Sequence, residues 1–255
     1  MTTTRLLLVE DDPTSLEFLR TALMALPAWV DSATSLATAV ALARTRRHDL
    51  WLIDAHLPDG DGAQLLACLR SMDACVPALA HTATTDHGII RGLLAQGFAD
   101  VITKPVTAAR LRERVAPHLQ RGGQAAAPRH PHVETTDDGA PAWDDTVPVW
   151  DDAAAAAALN GNLAHVAALR GLFVAELRGA CEAVLAAAQA GHTEAMAAQL
   201  HRLRASCGFT GARLLGDAAR ALHAAGITPE RLERFESATR RTLAASAELR
   251  IERTW

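Results

Sequence analysis

Short apolar runs alternate with amphipathic stretches throughout residues 5–119, and this alternation restricts the fold more than any other feature of the chain. The runs have the length and composition of buried strands, and they are Leu6–Val9, Leu50–Ile53, Pro77–Ala80, Val101–Ile102 and a weaker one around Trp29 and Val30. Between them, apolar residues recur at helical spacing, as Leu16, Leu19 and Leu23 do. Strands that alternate with helices favour a parallel sheet covered on both faces, so we predict an α/β domain over residues 1–120.

The segment from 121 to 149 differs in composition from the residues on either side of it. It opens with Arg121-Gly122-Gly123-Gln124 and is interrupted by prolines at Pro128, Pro131, Pro141 and Pro148. A stretch of this kind cannot bury enough apolar surface to form a core. We therefore predict a flexible linker over residues 121–149.

From about residue 150 onward no strand pattern is visible, and apolar residues recur at helical spacing. The stripes are Leu169, Leu172, Phe173 and Leu177, extended by Val184 and Leu185; Met196, Leu200, Leu203 and Cys207; Leu214, Leu215 and Leu222; and Leu232, Phe235, Leu243 and Leu249. Thr228-Pro229-Glu230 predicts the start of the last helix, because a hydroxyl cap precedes a proline in the first turn. Antiparallel helices with short connections favour a four-helix bundle over residues 150–255.

Charge and cysteine usage exclude several classes of protein. The formal net charge is -4 and the isoelectric point is about 6.2, so we expect neither nucleic acid nor a membrane as a partner. No CxxC pair is formed by Cys68, Cys75, Cys181 and Cys207, which is typical of reduced cytosolic thiols and not of a disulfide framework or a zinc site. Because the sequence has no secretory signal pattern and no apolar run long enough to span a bilayer, we expect a cytoplasmic location.

Acidic residues stand where two of the predicted strands end. Glu10 and Asp11 follow the first strand, and Asp54 follows the third. If these strands are neighbours in a parallel sheet, their carboxylates converge and repel one another unless a cation lies among them, and hard oxygen ligands of this kind suit Mg²⁺. Thr82 and Lys104 follow the fourth and fifth strands, where a hydroxyl and an ammonium can bind phosphoryl oxygens while Asp54 attacks phosphorus.

Four ordered motifs in residues 5–119 resemble those of the receiver domain of bacterial two-component response regulators. They are Val9-Glu10-Asp11-Asp12, Asp54 with Leu57-Pro58-Asp59-Gly60-Asp61-Gly62, Thr82-Ala83, and Lys104-Pro105. The resemblance spans the whole of this half of the chain. It implies a (βα)5 flavodoxin-like receiver with a parallel sheet.

The resemblance to receivers also implies a role for each motif residue. Asp54 would be the phosphoacceptor, and Thr82 and Lys104 would contact the phosphoryl oxygens. The implied Mg²⁺ site comprises the carboxylates of Asp11 and Asp54 and the backbone carbonyl of His56, with Glu10 acting nearby. One position departs from the family, because Val101 stands where receivers usually carry an aromatic residue that swings inward when the threonine engages phosphate. This departure bears on the common switch and not on the phosphorylation chemistry.

Single residues of these motifs also have simpler explanations. Asp11 alone could cap a helix that starts near Pro13, and Lys104 alone could be a surface lysine. All four motifs in the right order are hard to obtain by chance, so we favour the functional interpretation for the set. Loop and turn positions are the preferred interpretation for Asp12, Asp59 and Asp61.

In the second half, His201 lies within a predicted helix, one step round from the apolar stripe. Counting by three and four places Ala197, Arg204, Ala205 and Gly208 on its face. Such a face would give the imidazole solvent access, a neighbouring cation for phosphoryl oxygens, and little bulk against an approaching partner. These are the requirements of a histidine that accepts a phosphoryl group.

Residues 201–212 resemble the signature of the histidine phosphotransfer (HPt) domain. Gly211-Ala212 falls at the expected distance from His201. The usual lysine is replaced by Arg204, which keeps the charge but not its shape, and the usual glycine is replaced by Ala205. The resemblance implies that residues 150–255 form a four-helix-bundle HPt domain in which His201 is a second phosphoacceptor assisted by Arg204.

These features together predict a phosphorelay intermediate and not a metabolic enzyme, since neither a P-loop nor a kinase ATP-binding segment is visible. Asp54 would accept a phosphoryl group from the phosphohistidine of a sensor histidine kinase of the hybrid type. His201 would exchange it with a receiver aspartate in the same chain or in another protein, so receiver and HPt domains of other two-component proteins are expected partners. Two alternatives stay open, namely a phosphorylation-controlled binding adaptor and a phosphate sink that drains a shared kinase.

Overall fold

The computed structural model describes residues 4–84, 86–119, 147–159 and 161–251. The chain divides into two compact units, Met1–Thr136 and Asp137–Trp255. The predicted linker lies outside the described residues up to position 146, so its flexibility and the domain limits stay predictions.

The first unit is built on one parallel sheet flanked by helices. Its strands are β1 (Arg5–Val9), β2 (Trp29–Ala33), β3 (Leu50–Asp54), β6 (Ala78–Thr82) and β7 (Asp100–Thr103), with a small hairpin of β4 (His56–Leu57) and β5 (Gly60–Asp61) after β3. Its helices are α1 (Pro13–Leu23), α2 (Leu36–Thr45), α3 (Gly62–Met72), α4 (His87–Ala95) and α5 (Ala108–Leu119). The order β2-β1-β3-β6-β7 is that of flavodoxin-like sheets, so the predicted α/β fold is confirmed.

The middle of the sheet is buried on both faces. All five residues of β3 are buried, which is why this strand reads as a continuous apolar run. Alternate residues of the central strands share one core with α2, α3 and α4; those in β1 and β3 are Leu7, Val9, Trp51 and Ile53. On the other side, α1 packs against α5. The carboxyl ends of the strands in this buried sheet therefore have fixed positions. The polar residues that follow these ends are held in place by the sheet.

Aspartates cap three of the helices in the first unit, and one of them is Asp86 at the start of α4. Asp12 caps α1, since its Oδ1 accepts a hydrogen bond from the backbone N–H of Ser15 at 2.7 Å. The simpler explanation for Asp11, that it caps this helix, is therefore wrong. Asp61 caps α3 in the same way, with its Oδ1 2.7 Å from the backbone N of Gln64 in a capping box.

Asp59 ties the β4-β5 hairpin to α2. Its two carboxylate oxygens accept hydrogen bonds from the backbone N–H groups of Ala37, at 2.9 Å, and Leu36, at 2.8 Å. These donors hold the pKa of Asp59 below its usual value. The residue lies in a loop, as predicted, but it also satisfies two amides at the start of a helix that have no partner within that helix.

Replacement of the cap on α3 has a defined expected cost. Asp61→Ala should lower the free energy of unfolding of the first unit by about 1 kcal/mol, because the first-turn amide of Gln64 loses its acceptor. Asp61→Asn keeps an acceptor oxygen and should cost only a few tenths of that. Urea denaturation followed by amide NMR, which reports on each unit separately, measures both. Equal losses in the two variants would contradict the capping role.

The second unit is helical, and none of its described residues lies in a strand. Its helices are α6 (Asp152–Ala158), α7 (Leu163–Gln189), α8 (Thr193–Thr210), α9 (Arg213–Ala225) and α10 (Pro229–Ile251). The four long helices pack in a closed order, α7 on α8, α8 on α9, α9 on α10 and α10 back on α7. They enclose a core that includes Phe173, Leu177, Leu200, Leu203, Leu215, Leu222 and Phe235.

The predicted stripes of the second unit are largely confirmed where side chains are described, and Leu249 lies outside those positions. Leu172 is an exception, because its side chain is 41% exposed. The predicted start of α10 is confirmed, since the Thr228 hydroxyl accepts a hydrogen bond from the backbone N–H of Arg231 at 3.3 Å. Val147 and Val149, at the end of the predicted linker, pack against this core.

Two further findings concern the chain as a whole. No helix in the described ranges combines the length and the apolarity needed to cross a bilayer. The four cysteines are free thiols; Cys68 and Cys75 are exposed, and Cys181 and Cys207 are buried.

Candidate functional site

The carboxyl ends of four parallel strands bring together the polar residues that the sequence singled out. Glu10 follows β1, Asp54 ends β3, Thr82 ends β6 and Lys104 follows β7. The strands are neighbours in the order β1-β3-β6-β7. Because parallel strands place their carboxyl ends at one edge, residues far apart in sequence meet there.

Lys104 joins the two acids at the centre of this site. Its Nζ donates to Glu10 Oε1 at 3.0 Å, to Glu10 Oε2 at 2.8 Å and to Asp54 Oδ2 at 2.6 Å. All three residues are buried, with Glu10 wholly inaccessible, Asp54 4% exposed and Lys104 7% exposed. A buried ammonium that bridges two buried carboxylates neutralises part of a charge cluster that would otherwise be costly to fold.

Burial and charge shift the pKa values of these groups in opposing directions. Burial raises the pKa of Glu10, and the nearby Lys104 opposes this shift. Burial also raises the pKa of Asp54, and the charge of Glu10 adds to the effect. For Lys104, burial disfavours the charged form, but the two carboxylates outweigh it and its pKa is raised. Lys104 therefore stays protonated, whereas burial makes the charged forms of the two neighbouring acids less favourable.

Asp11 completes a set of oxygen ligands. One carboxylate oxygen from each of Glu10, Asp11 and Asp54 lies within 4.8 Å of the others. Mg²⁺ binds through one or two carboxylates and keeps several waters, so these donors fit it. The backbone N–H of His56 donates to Asp54 Oδ1 at 3.0 Å, which places His56 beside the cluster. Its carbonyl as a ligand stays a prediction.

Gly62 allows the backbone to pass close to Asp54. A Cβ at this position would lie 2.6 Å from the carbonyl oxygen of Asp54. The Gly62 N–H also donates to the carbonyl of Ala55 at 3.0 Å. Only a residue without a side chain fits here, which explains the last glycine of the motif that follows Asp54.

Thr82 is fully buried at the end of β6. Its hydroxyl accepts a hydrogen bond from the backbone N–H of Thr84 at 3.3 Å. The loop after β6 therefore begins with a turn that starts from this hydroxyl. Its predicted contact with a phosphoryl oxygen is not tested by these contacts and stays a prediction.

His81 belongs to the site, although the sequence did not single it out. Its Nδ1 lies 3.3 Å from Glu10 Oε2, and the residue is 1% exposed. Burial, together with the charge of Lys104, lowers its pKa well below the usual value, so the ring is neutral. A histidine next to the predicted Thr82, within a strand that otherwise reads as apolar, is the sequence signal that could have identified it.

Removal of the bridging cation should destabilise the first unit. Lys104→Met should lower its free energy of unfolding by about 3 kcal/mol at pH 7.5, because two buried carboxylates lose their counter-charge. The loss should shrink as pH falls, since these acids then fold in the protonated form that their raised pKa values favour. Millimolar Mg²⁺ should restore part of the stability by binding the folded state.

Amide NMR in urea at pH 7.5 and pH 5.5, with and without Mg²⁺, measures the effects of Lys104→Met. Arg91→Met is a control that removes an exposed cation of α4 and introduces the same replacement residue. A Lys104→Met protein as stable as wild type at pH 7.5 would contradict the bridging role of Lys104.

His201 lies in α8 with a partly exposed side chain. Arg204, one turn further on, is also partly exposed, and its Nη1 lies 3.5 Å from Nδ1 of His223 in α9. Burial lowers the pKa of His223, and the charge of Arg204 adds to this effect. The imidazole of His201 and a guanidinium thus lie on the same helix at a spacing that places them on one face, as predicted.

One feature of the predicted face around His201 is wrong. Ala205 is 2% exposed, so it belongs to the interior and offers no surface to a partner. The reason is that α8 packs against α6, α7 and α9 and has little free circumference. Gly208 lies within α8 and is partly exposed, while Gly211 ends the helix in a left-handed conformation with φ of 72°.

Comparison with known proteins identifies the first half of the chain. Residues 6–116 match the family model described as the response regulator receiver domain. The KDP operon transcriptional regulatory protein KdpE of Escherichia coli (strain K12) is 34% identical over 134 residues, which are 52% of this chain and 59% of that protein. The probable transcriptional regulatory protein SilR of Salmonella typhimurium is 37% identical over 120 residues, 46% of this chain and 52% of that protein.

A solved structure shows a similar extent of likeness. The signal receiver domain of a putative LuxO repressor protein from Vibrio parahaemolyticus is 26% identical, with a TM-score of 0.45, and the match covers 48% of this chain and 93% of that one. The chain spans between half and two thirds of the length of the curated relatives KdpE and SilR.

Proposed function

We propose, from the premise that residues 6–116 form a response regulator receiver domain of a two-component system, that the whole chain is a phosphorelay intermediate. In this proposal Asp54 and His201 are two stations at which a phosphoryl group rests. The observation that carries the proposal is the buried cluster in which Lys104 bridges Asp54 and Glu10 beside Asp11. Phosphoryl transfer is catalysed mostly by positioning and by charge neutralisation, and this cluster can supply both.

At the first station, a carboxylate oxygen of Asp54 attacks the phosphorus of a phosphohistidine on a sensor kinase. An O–P bond forms, the N–P bond breaks, and the imidazole leaves with its electron pair and takes up a proton. Asp11, Asp54, Glu10 and the carbonyl of His56 would hold Mg²⁺, which supplies charge neutralisation when bound. Lys104 is 2.6 Å from Asp54 Oδ2 and so within reach of an oxygen of the transferred group.

Lys104 and Thr82 would then fix the phosphoryl oxygens. Thr82 and Lys104 stand at the ends of neighbouring strands beside Asp54, so an ammonium that turns from its present acceptors and a buried hydroxyl can both stabilise the charge on the transferring group. The backbone N–H of His56 binds Asp54 Oδ1, and Oδ2 would become available to attack phosphorus when Lys104 turns from it toward the phosphoryl group.

At the second station, a ring nitrogen of His201 attacks the phosphorus of an aspartyl phosphate. An N–P bond forms and the carboxylate leaves. Four observations support this role. They are the partly exposed imidazole, the nearby guanidinium of Arg204, the helical unit around α8 and the motif in residues 201–212. Arg204 would neutralise charge on the phosphoryl oxygens.

The proposed partners follow from these two stations. A sensor histidine kinase of the hybrid type would supply the phosphoryl group to Asp54, and receiver or HPt domains of other two-component proteins would exchange it with His201. The relatives KdpE and SilR are named transcriptional regulatory proteins. The second unit here has helices in a closed order, and the whole chain has a formal net charge of -4. We therefore favour protein partners over nucleic acid. The chain would act in the cytoplasm and have no metabolic substrate.

A binding adaptor is the second candidate function, and Val101 favours it. Val101 is 4% exposed within β7, so no aromatic side chain stands there to swing between two positions. A phosphorylated receiver without that switch could still act as a clamp for a partner. In that case His201→Ala would leave signalling output intact, whereas the relay requires that output is lost while partner binding survives.

A labelling time course tests the relay against the adaptor. The full chain is incubated with radiolabelled phosphorylated kinases and Mg²⁺, in a side-by-side panel, and the label is classified by its stability. Base-labile label, typical of an acyl phosphate, should appear with the fastest kinase, and label that is acid-labile but stable in base, typical of phosphohistidine, should follow. Base-labile label that never gives way to acid-labile label, even with other receivers present, would contradict the relay.

A further inference from the structure

His81 is a buried, titratable side chain that has no role in the proposed phosphoryl chemistry. It precedes Thr82 in β6, and its residue is in register with Asp54 of β3. The side chain is 1% exposed, and its Nε2 has no hydrogen-bond partner among the described residues. A buried imidazole with one bare nitrogen costs more than an aliphatic side chain of similar size, so its other contact must explain its presence.

That other contact is with Glu10. An ionised carboxylate only accepts hydrogen bonds, so the Nδ1 of His81, at 3.3 Å from Glu10 Oε2, carries the ring proton and donates it. Glu10 Oε2 therefore has two donors, His81 and Lys104, and Glu10 Oε1 has Lys104. The Glu10 side chain is wholly buried.

Lys104 has no N–H group left for a further acceptor such as a phosphoryl oxygen. Its three N–H groups are directed at two oxygens of Glu10 and one of Asp54. When Lys104 turns toward a phosphoryl oxygen, Glu10 loses at least one of these donors. His81 then remains as a hydrogen-bond donor to Glu10. Among the described residues, no other acceptor competes for its Nδ1.

We propose that His81 is a positioning residue, which holds the Glu10 carboxylate in the orientation that Mg²⁺ binding needs while Lys104 changes partners. This inference rests on the proposed function, since it assigns a supporting role within the same site. His81 touches neither the phosphoryl group nor the metal and acts through Glu10 alone. Side chains that hydrogen-bond to metal ligands in this way fix the orientation and basicity of the ligand.

Two substitutions separate positioning from packing. His81→Leu keeps a buried side chain of similar size but removes the donor. His81→Asn is smaller and leaves a gap, but its Nδ2 is bonded to Cγ as Nδ1 of histidine is, so it can still donate to Glu10. A purely structural role predicts that His81→Asn is the more damaging change, because it combines a cavity with a buried polar group. Positioning predicts the reverse order for metal affinity.

Calorimetric titration of the full chain with Mg²⁺ measures that affinity. His81→Leu should weaken Mg²⁺ binding by about 10-fold or more, and His81→Asn should stay within roughly threefold of wild type. Thermal unfolding of the metal-free proteins is recorded beside it, and there His81→Asn should be the less stable of the two. Mg²⁺ affinity that is unchanged in His81→Leu, or lost equally in both variants, would overturn the proposal.

A second readout needs no metal. Long-range proton–nitrogen NMR spectra of the metal-free protein should show His81 as the neutral Nδ1–H tautomer, and the Nε2–H tautomer would overturn the proposal. Failure of the proposed function is distinguishable, since it would appear as a wild-type protein that neither binds Mg²⁺ nor accepts phosphate on Asp54. Failure of the His81 inference would appear as normal wild-type behaviour with no effect of His81→Leu.

Discussion

Asp54→Asn should abolish base-labile phosphorylation of the chain. The amide has no anionic oxygen to attack phosphorus, and replacement of a nucleophile lowers the rate by on the order of 10³-fold or more. The variant should still fold, because Asn has the same shape, its Oδ1 can accept from the backbone N–H of His56, and Lys104 keeps both hydrogen bonds to Glu10. Labelling by a phosphorylated kinase with Mg²⁺, followed by alkaline hydrolysis, measures the effect.

The stability of Asp54→Asn provides an independent check with a definite sign. The raised pKa of Asp54 means that the folded state favours the protonated acid. Its contribution to stability is therefore fully present below the unfolded pKa and is lost as pH rises through the folded pKa. Asparagine is neutral at every pH, so the variant should be at least as stable as wild type at pH 8, and its stability should depend less on pH between 5 and 8.

Asp59→Asn is the matched control for Asp54→Asn. It makes the same substitution at an exposed loop carboxylate of the same unit, and an asparagine oxygen can still accept from the amides that start α2. Phosphorylation should continue at the wild-type rate in this variant. An Asp54→Asn protein that retains base-labile label would show that another carboxylate is the acceptor.

His201→Ala should remove acid-labile phosphate while leaving Asp54 fully competent. Transfer to a downstream receiver should fall by on the order of 10³-fold or more, because the imidazole nucleophile is gone. Arg204→Ala should slow the same transfer by roughly 10-fold, since a partly exposed cation stabilises developing charge less than a buried donor does. Quench-flow transfer assays with acid and base treatment of the products measure both.

His165→Ala is the matched control for His201→Ala. His165 is an exposed histidine in the first turn of α7 in the same helical unit, and its loss should leave both kinds of label unchanged. If His201→Ala retains acid-labile label at the wild-type level, the second station lies at another histidine and the assignment of His201 is wrong. If acid-labile label never forms even in wild type, the adaptor function is favoured.

Sequence alone predicted the first unit well, because its physical signals are local. A buried parallel strand reads as a continuous apolar run, and all five runs became strands of one sheet. Residues that directly follow such strands must lie at one edge, so the convergence of Glu10, Asp54 and Lys104 follows from strand order. The β4-β5 hairpin gives no such signal, because it has two residues per strand and no apolar alternation.

Contacts that depend on the third dimension were not predictable in the same way. Asp59 satisfies amides of α2 that lie 22 and 23 residues away, and nothing in the loop sequence names that partner. His81 reads as one more strand residue until its contact with Glu10 is known. Ala205 was placed on an open face because a helical wheel assumes one buried side, whereas α8 is covered by three other helices.

Direct mapping of phosphate on the wild-type chain tests the central claim most closely. The chain is loaded by its fastest kinase with Mg²⁺, one portion is reduced with borohydride, which converts an aspartyl phosphate to homoserine, and another is analysed by mass spectrometry at neutral pH. We expect homoserine at position 54 in the reduced sample and a phosphorylated imidazole at His201 in the other. Homoserine at a different aspartate would contradict the two-station relay. Phosphate that is found only on histidines other than His201 would contradict it as well.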